Sequence, residues 1–193
     1  MPALVPPVAD ERDGLLSYLA HERQALLLAA YGLTDEQARA TPTTSTLSVG
    51  GLIKHAANVE RGWIDTVLQR RTPRTTEDYL AAFRLGPDES LAGVLDDYEH
   101  TAAETGTALA AIPDLDLAVP VPPGSPWLPT DIDGWSVRWV LLHLISDTAR
   151  HAGHADIIRE SIDGATAYPL MAAVEHWPPS PWVQPWQAPT HQE

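Results

Sequence analysis

Trp135-Ser136-Val137-Arg138-Trp139-Val140-Leu141-Leu142-His143-Leu144-Ile145-Ser146-Asp147-Thr148-Ala149-Arg150-His151-Ala152-Gly153-His154-Ala155-Asp156 lies within residues 130–168, the longest proline-free window of a 193-residue chain with 18 prolines. Proline costs about 3 kcal/mol inside a helix, so its absence marks where a long helix can form. Ser136 is a good N-cap, and Gly164 stands where a helix of this length would end. The spacing predicts a helix from Ser136 to about Ile162. His143, Asp147 and His151 follow one another at i, i+4 and i+8, a ladder on one helical face. His154 returns to the same stripe, which Leu144, Thr148 and Ala155 flank and turn inward.

Three other proline-free windows, 8–41, 43–72 and 88–112, complete the pattern. In the first, Leu15, Leu19, Leu26 and Ala30 share one face behind the acidic start Asp10, Glu11 and Asp13, and Gly32 offers an end. The second predicts a helix after the cap Ser48, through Leu52, His55, Val59 and Trp63. Its Gly50-Gly51 pair is either a weak start or a point of close backbone approach. The third predicts a helix from about Asp88 to Ile112, with Leu91, Leu95, Tyr98, Ala102 and Leu109 over a polar face and acidic residues at its start. No strand-type alternation stands out, and the expected class is all-α.

Between the last two helices, Pro113 to Trp135 holds six prolines and two glycines. A connection this long is often functional, for example as a lid. Trp127 and Trp135 are its aromatic residues, the ones a lid would lay over a pocket, although an ordinary ordered connector fits as well. After Gly164 the chain turns Pro- and Trp-rich. Trp177, Trp182 and Trp186 are expected to pack on the bundle or on a second protomer.

The charge excludes several classes of partner. Acidic residues outnumber basic ones 26 to 12, for a net charge of −14, and Lys54 is the one lysine. Phosphate backbones and anionic membrane surfaces both require basic clusters, so neither nucleic acid nor membrane is expected. No apolar run approaches a membrane span, and the first residues lack the basic start of a secretory signal. The chain has no cysteine. Disulfides, thiolate metal sites and a cysteine nucleophile are thereby excluded, and a cytoplasmic setting is the expectation.

Helix bundles build metal sites from side chains on facing helices. Asp147 and His151 are one turn apart, and His55 can join them from across the bundle. Two imidazoles and a carboxylate suit a divalent ion such as zinc, with positions left for water or substrate. A buried His–Asp pair is also compatible with a satisfied polar network, and His143 with a bond to a backbone carbonyl. His21, His100, His176 and His191 read as surface residues. Ser136 and Ser146 have no nucleophile-elbow context.

Two segments, Thr46–Trp63 and Trp135–Asp156, together resemble the DinB/YfiT-like metal-binding bundle superfamily, in particular its actinobacterial mycothiol-transferase branch, related to the thiol-dependent maleylpyruvate isomerases. The resemblance spans about residues 10–165. It implies a four-helix bundle with a long crossover over residues 1–165, followed by a Pro/Trp-rich extension, 166–193, packed on it. It implies a divalent metal, zinc or nickel, held by His55, Asp147 and His151. Asp147 falls where relatives carry Glu or His, so ligation through water or by His154 is an alternative, and His143 is a further donor. The implied activity is S-transfer from mycothiol or a similar small thiol to a small electrophile, by a monomer or homodimer. A metal-dependent hydrolase or isomerase, or a non-enzymatic metal- or small-molecule-binding bundle, are the alternatives.

Overall fold

The computed structural model describes residues 3–70, 75–122, 129 and 131–188. Four long helices form its body: α1 (Glu11–Leu28), α3 (Val49–Val67), α5 (Leu91–Ala110) and α6 (Val137–Asp163). Three short ones, α2 (Asp35–Arg39), α4 (Thr76–Ala81) and α7 (Ala167–Val174), punctuate the connections. The fold is all-α, as its proline distribution predicts. One departure is a pair of three-residue strands, β1 (Ala118–Pro120) and β2 (Gly134–Ser136), joined antiparallel with Val119 opposite Trp135. They are too short to show an alternating pattern in sequence.

The caps fall where the chemistry places them. Ser48 accepts a hydrogen bond from Gly51 N, and Ser136 accepts one from Trp139 N. Gly164 closes α6 at φ 75°, a conformation that strains any residue with a Cβ. The third long helix departs from expectation. It starts at Leu91 behind the cap Ser90, with no acidic residue in its first turn. Negative charge arrives there through space, because Asp35 Oδ1 accepts the Leu91 N–H at 2.8 Å.

Helix α6 packs on α1 and α3, and α3 also packs on α5. His55 meets His151, and Trp63 meets His143 and Trp139, so α3 and α6 run antiparallel. One core centres on Leu26, Leu52, Ile53, Tyr98 and Ala155, and a second on Leu19, Ile64, Leu109, Leu141 and Leu144. Val119 of β1 is fully buried in the second core, which pins the long connector to the bundle.

Two ion pairs are set in this interior, one between helices and one within α6. Arg23 of α1 donates two hydrogen bonds to Glu60 of α3, which also accepts one from Thr105 of α5. Arg159 of α6 is wholly buried, donates twice to Asp163 and caps the end of α1 through the Ala29 and Tyr31 carbonyls. The Trp186 ring covers its guanidinium at 4.8 Å. Trp177 and Trp186 thus pack on the bundle, whereas Trp182 is 95% exposed. Trp127 lies outside the described residues.

The Gly50-Gly51 pair is a point of close approach. A Cβ on Gly51 would stand 2.1 Å from the Phe83 carbonyl oxygen, and one on Gly50 would stand 3.0 Å from that of Ala38. Gly62, on the same helix, has open space. Gly51→Ala should therefore destabilise the fold by about 1–3 kcal/mol through overpacking. Gly62→Ala should gain about 0.5–1 kcal/mol from helix propensity. Chemical denaturation of the two variants tests the contrast, and equal shifts would refute it.

Candidate metal centre

His55 faces inward because it shares its helical face with Leu52 and Val59, and only 3% of it is exposed. His151 approaches from α6, with the two imidazole centroids 4.8 Å apart and nearly perpendicular. Asp147, one turn earlier on α6, places Oδ1 3.7 Å from His151 Nε2. Each of the three offers a donor atom, and all three donors lie within 4.8 Å of one another. The structure brings together His55, Asp147 and His151.

The other histidines sit elsewhere. His143 stacks on Trp139 at 5.1 Å and meets Trp63 at 5.0 Å, one turn above Asp147. His154 is exposed, with its ring 5.8 Å from that of His151. His100 and His176 are exposed, His21 is half-buried, and His191 lies outside the described residues.

Two aromatic banks flank the cluster. On one side Phe83 stacks on His55 with centroids 3.7 Å apart and 20° between planes, and Tyr79 meets both rings edge-on. On the other, Trp135, Trp139 and His143 form a stack along the start of α6, and Trp63 packs against all three. Trp135 belongs to the far end of that tier. Phe83 and Tyr79 carried no helical signal, because they lie in the short stretch between Pro73 and Pro87.

Electrostatics keep the imidazoles neutral. Burial pushes His55 down to about 3, and the neighbouring His151 adds to the effect. His151 is also held below its ordinary value by burial, against the opposing pull of Asp147. The Nδ1 atoms of both histidines are buried without a hydrogen-bond partner among the described residues. Each such nitrogen costs about 1–3 kcal/mol. Two neutral imidazoles with a carboxylate within reach fit a borderline divalent cation, which takes N and O donors and favours the deprotonated forms.

The all-α bundle is of the DinB-like fold class. The family model described as mycothiol-S-transferase matches residues 14–164, and the chain belongs to that family. No curated protein matches the chain. Among solved structures, a conserved protein from Enterococcus faecalis is similar in fold, with a TM-score of 0.63 and 18% identity. That match covers 82% of this chain and all of the other.

The neutral state of His55 has a consequence for stability. An unfolded histidine takes its proton at about 6.5, whereas the folded His55 takes one only near 3. Between those values the unfolded chain binds more protons, so stability falls as pH drops below 6.5. Metal-free protein should melt at a lower temperature at pH 5 than at pH 7. His55→Asn should make that fall shallower, and an unchanged slope in calorimetry would refute the assignment.

Proposed function

We propose that this protein is a metal-dependent S-transferase that joins mycothiol, or a similar low-molecular-weight thiol, to a small electrophile. The observation that carries the reading is the pair of buried, neutral, unpaired imidazoles beside Asp147, in a chain of this family. His55, Asp147 and His151 are the proposed ligands of one divalent ion, zinc first and nickel second. Bound there, the ion would lower the pKa of a thiol and favour its thiolate.

The chain's own residues do the rest. His55 and His151 offer lone pairs at neutral pH without losing a proton first, because burial has already removed it. Asp147 supplies one negative charge, which favours a cation in the cluster over a bare pair of imidazoles. Phe83 covers one face of His55 and keeps water off that side. Trp139, His143 and Trp63 offer an apolar wall one to two turns from Asp147, where the organic body of a substrate can lie. The protein has no sulfur nucleophile of its own, since it lacks cysteine. In the transfer, thiolate sulfur attacks the electrophilic carbon, the new C–S bond forms, and the leaving group departs with its electron pair.

We assign this chemistry to residues 1–165, with 166–193 as an extension beyond the bundle, and place it in a reducing cytoplasm. No helix of the described residues is long and apolar enough to cross a membrane.

Elemental analysis of the purified protein should find about one divalent ion per chain. The His55→Ala/His151→Ala variant should lose it while keeping its helical circular dichroism. Cobalt-substituted protein should develop a sulfur-to-metal charge-transfer band with millimolar mycothiol, and mass spectrometry should then find the conjugate of an added electrophile. Metal binding without the band would remove thiol transfer and leave the hydrolase reading.

A further inference from the structure

A cavity lies away from the metal cluster, between the C-terminal end of α1, the start of α5 and α7. It measures about 580 Å³, within the range of small-molecule sites. Its walls are chiefly apolar, from Leu27, Leu33, Leu95, Met171 and Val174. The charged residues at it are all acidic: Asp35, Glu99 and Glu175. None of the described residues lining it is lysine, arginine or histidine.

The construction of this cavity separates it from the bundle's own chemistry. Met171, Val174 and Glu175 come from α7 and its C-cap, beyond residue 164, where the family match ends. The opposite wall belongs to α1 and α5, inside the match. Trp186 seals the neighbouring corner by packing on Gly32 and meeting Tyr31 edge-on at 5.8 Å. Gly32 permits that seal, since a Cβ there would stand 2.6 Å from the indole, and its φ of 73° disfavours a side chain. Arg159 holds the same corner from below through the Ala29 and Tyr31 carbonyls. The pocket is thus a fixed feature of the joint between bundle and extension.

We propose that this cavity is a binding site for a small organic cation with an apolar body. Apolar walls select the body by burial. Asp35 keeps its position through the Leu91 N–H, and together with Glu99 it sets a negative field at the site, strengthened by the chain's net charge of −14. An anion of the same shape meets repulsion from Asp35 and Glu99, and none of the described residues in the lining is a cation. The proposal is independent of the thiol-transfer reading, and neither needs the other.

The chain has two methionines, Met1 and Met171, so methyl-labelled methionine places a reporter in the cavity wall. Three compounds of one shape serve as probes: 1-adamantylammonium, 1-adamantanol and adamantane-1-carboxylate. The ammonium should shift the Met171 methyl resonance saturably with one site per chain. The alcohol should bind at least several-fold more weakly, and the carboxylate should leave the resonance in place. Leu95→Arg, which puts bulk and positive charge into the cavity, should weaken the ammonium at least tenfold. Glu99→Gln should reduce its preference over the alcohol. Melting temperature and cobalt uptake at the His55 cluster show whether each variant keeps the fold, and Val174→Arg replaces Leu95→Arg should the latter fail to fold. Equal binding of the carboxylate, or an unmoved Met171 signal with the ammonium, would overturn the proposal. So would undiminished binding in a folded Leu95→Arg or Val174→Arg variant.

Discussion

Helices α3 and α6 cross antiparallel, and much of the site depends on how close they come. Buried Ala56, Ala57, Ala152 and Ala155 sit in the same core as His55's neighbours, and small side chains let helices pack closely. Imidazoles from the two helices stand 4.8 Å apart. Gly50 and Gly51 extend the same economy of volume to the other side of α3. They let the Ala38 and Phe83 backbones lie against it, and Phe83 then stacks on His55. A bulkier residue at either glycine acts on the site through the backbone of its neighbours.

The interior treats its polar groups in two different ways. Glu60 accepts from Arg23 and Thr105, and Arg159 uses Asp163 and two carbonyls, so these buried charges are paired and hydrogen-bonded. Breaking either pair would leave a bare charge inside the bundle, a change that typically costs 3–5 kcal/mol. Nothing of this kind supports the buried nitrogens of His55 and His151. Among the described residues, His55 Nδ1, His151 Nδ1 and Tyr98 Oη are the buried side-chain atoms without a hydrogen-bond partner, and two of these three belong to the cluster. A buried polar group left unpaired calls for an explanation, and a ligand is one.

Much of this was legible in the chain. Proline positions bound the four long helices, Ser48, Ser136 and Gly164 mark three of their ends, and the His143–Asp147–His151 ladder follows from helical spacing alone. The start of α5 was not legible, because its acidic partner is Asp35, distant in sequence and brought near by the fold. The same holds for Glu60 and Arg23, whose pairing links different helices. Phe83 was hidden because α4 is a single short helix with no buried residue, so no periodicity announces which of its neighbours turns inward. His154 shares the stripe angularly yet is exposed, whereas the next residue, Ala155, is fully buried, so angular position alone does not fix burial.

Exposure grades across the cluster and gives the site a direction. His55 is 3% exposed, and the side chains of His151 and Asp147 are 12% and 24% exposed. Phe83 covers one face of His55, and Asp147 is the most exposed of the three side chains. Beyond Asp147 along α6 stand His143 and then Trp139, which is itself 37% exposed. A helix rises 1.5 Å per residue, so the tier from Asp147 to Trp139 spans about 12 Å. The side chains that follow Asp147 along this face are thus an imidazole and an indole rather than charged groups. The shorter reach of aspartate at 147 suits this arrangement. A carboxylate held one methylene nearer its helix projects less into the open side, and leaves that side wider for whatever reaches the two histidines.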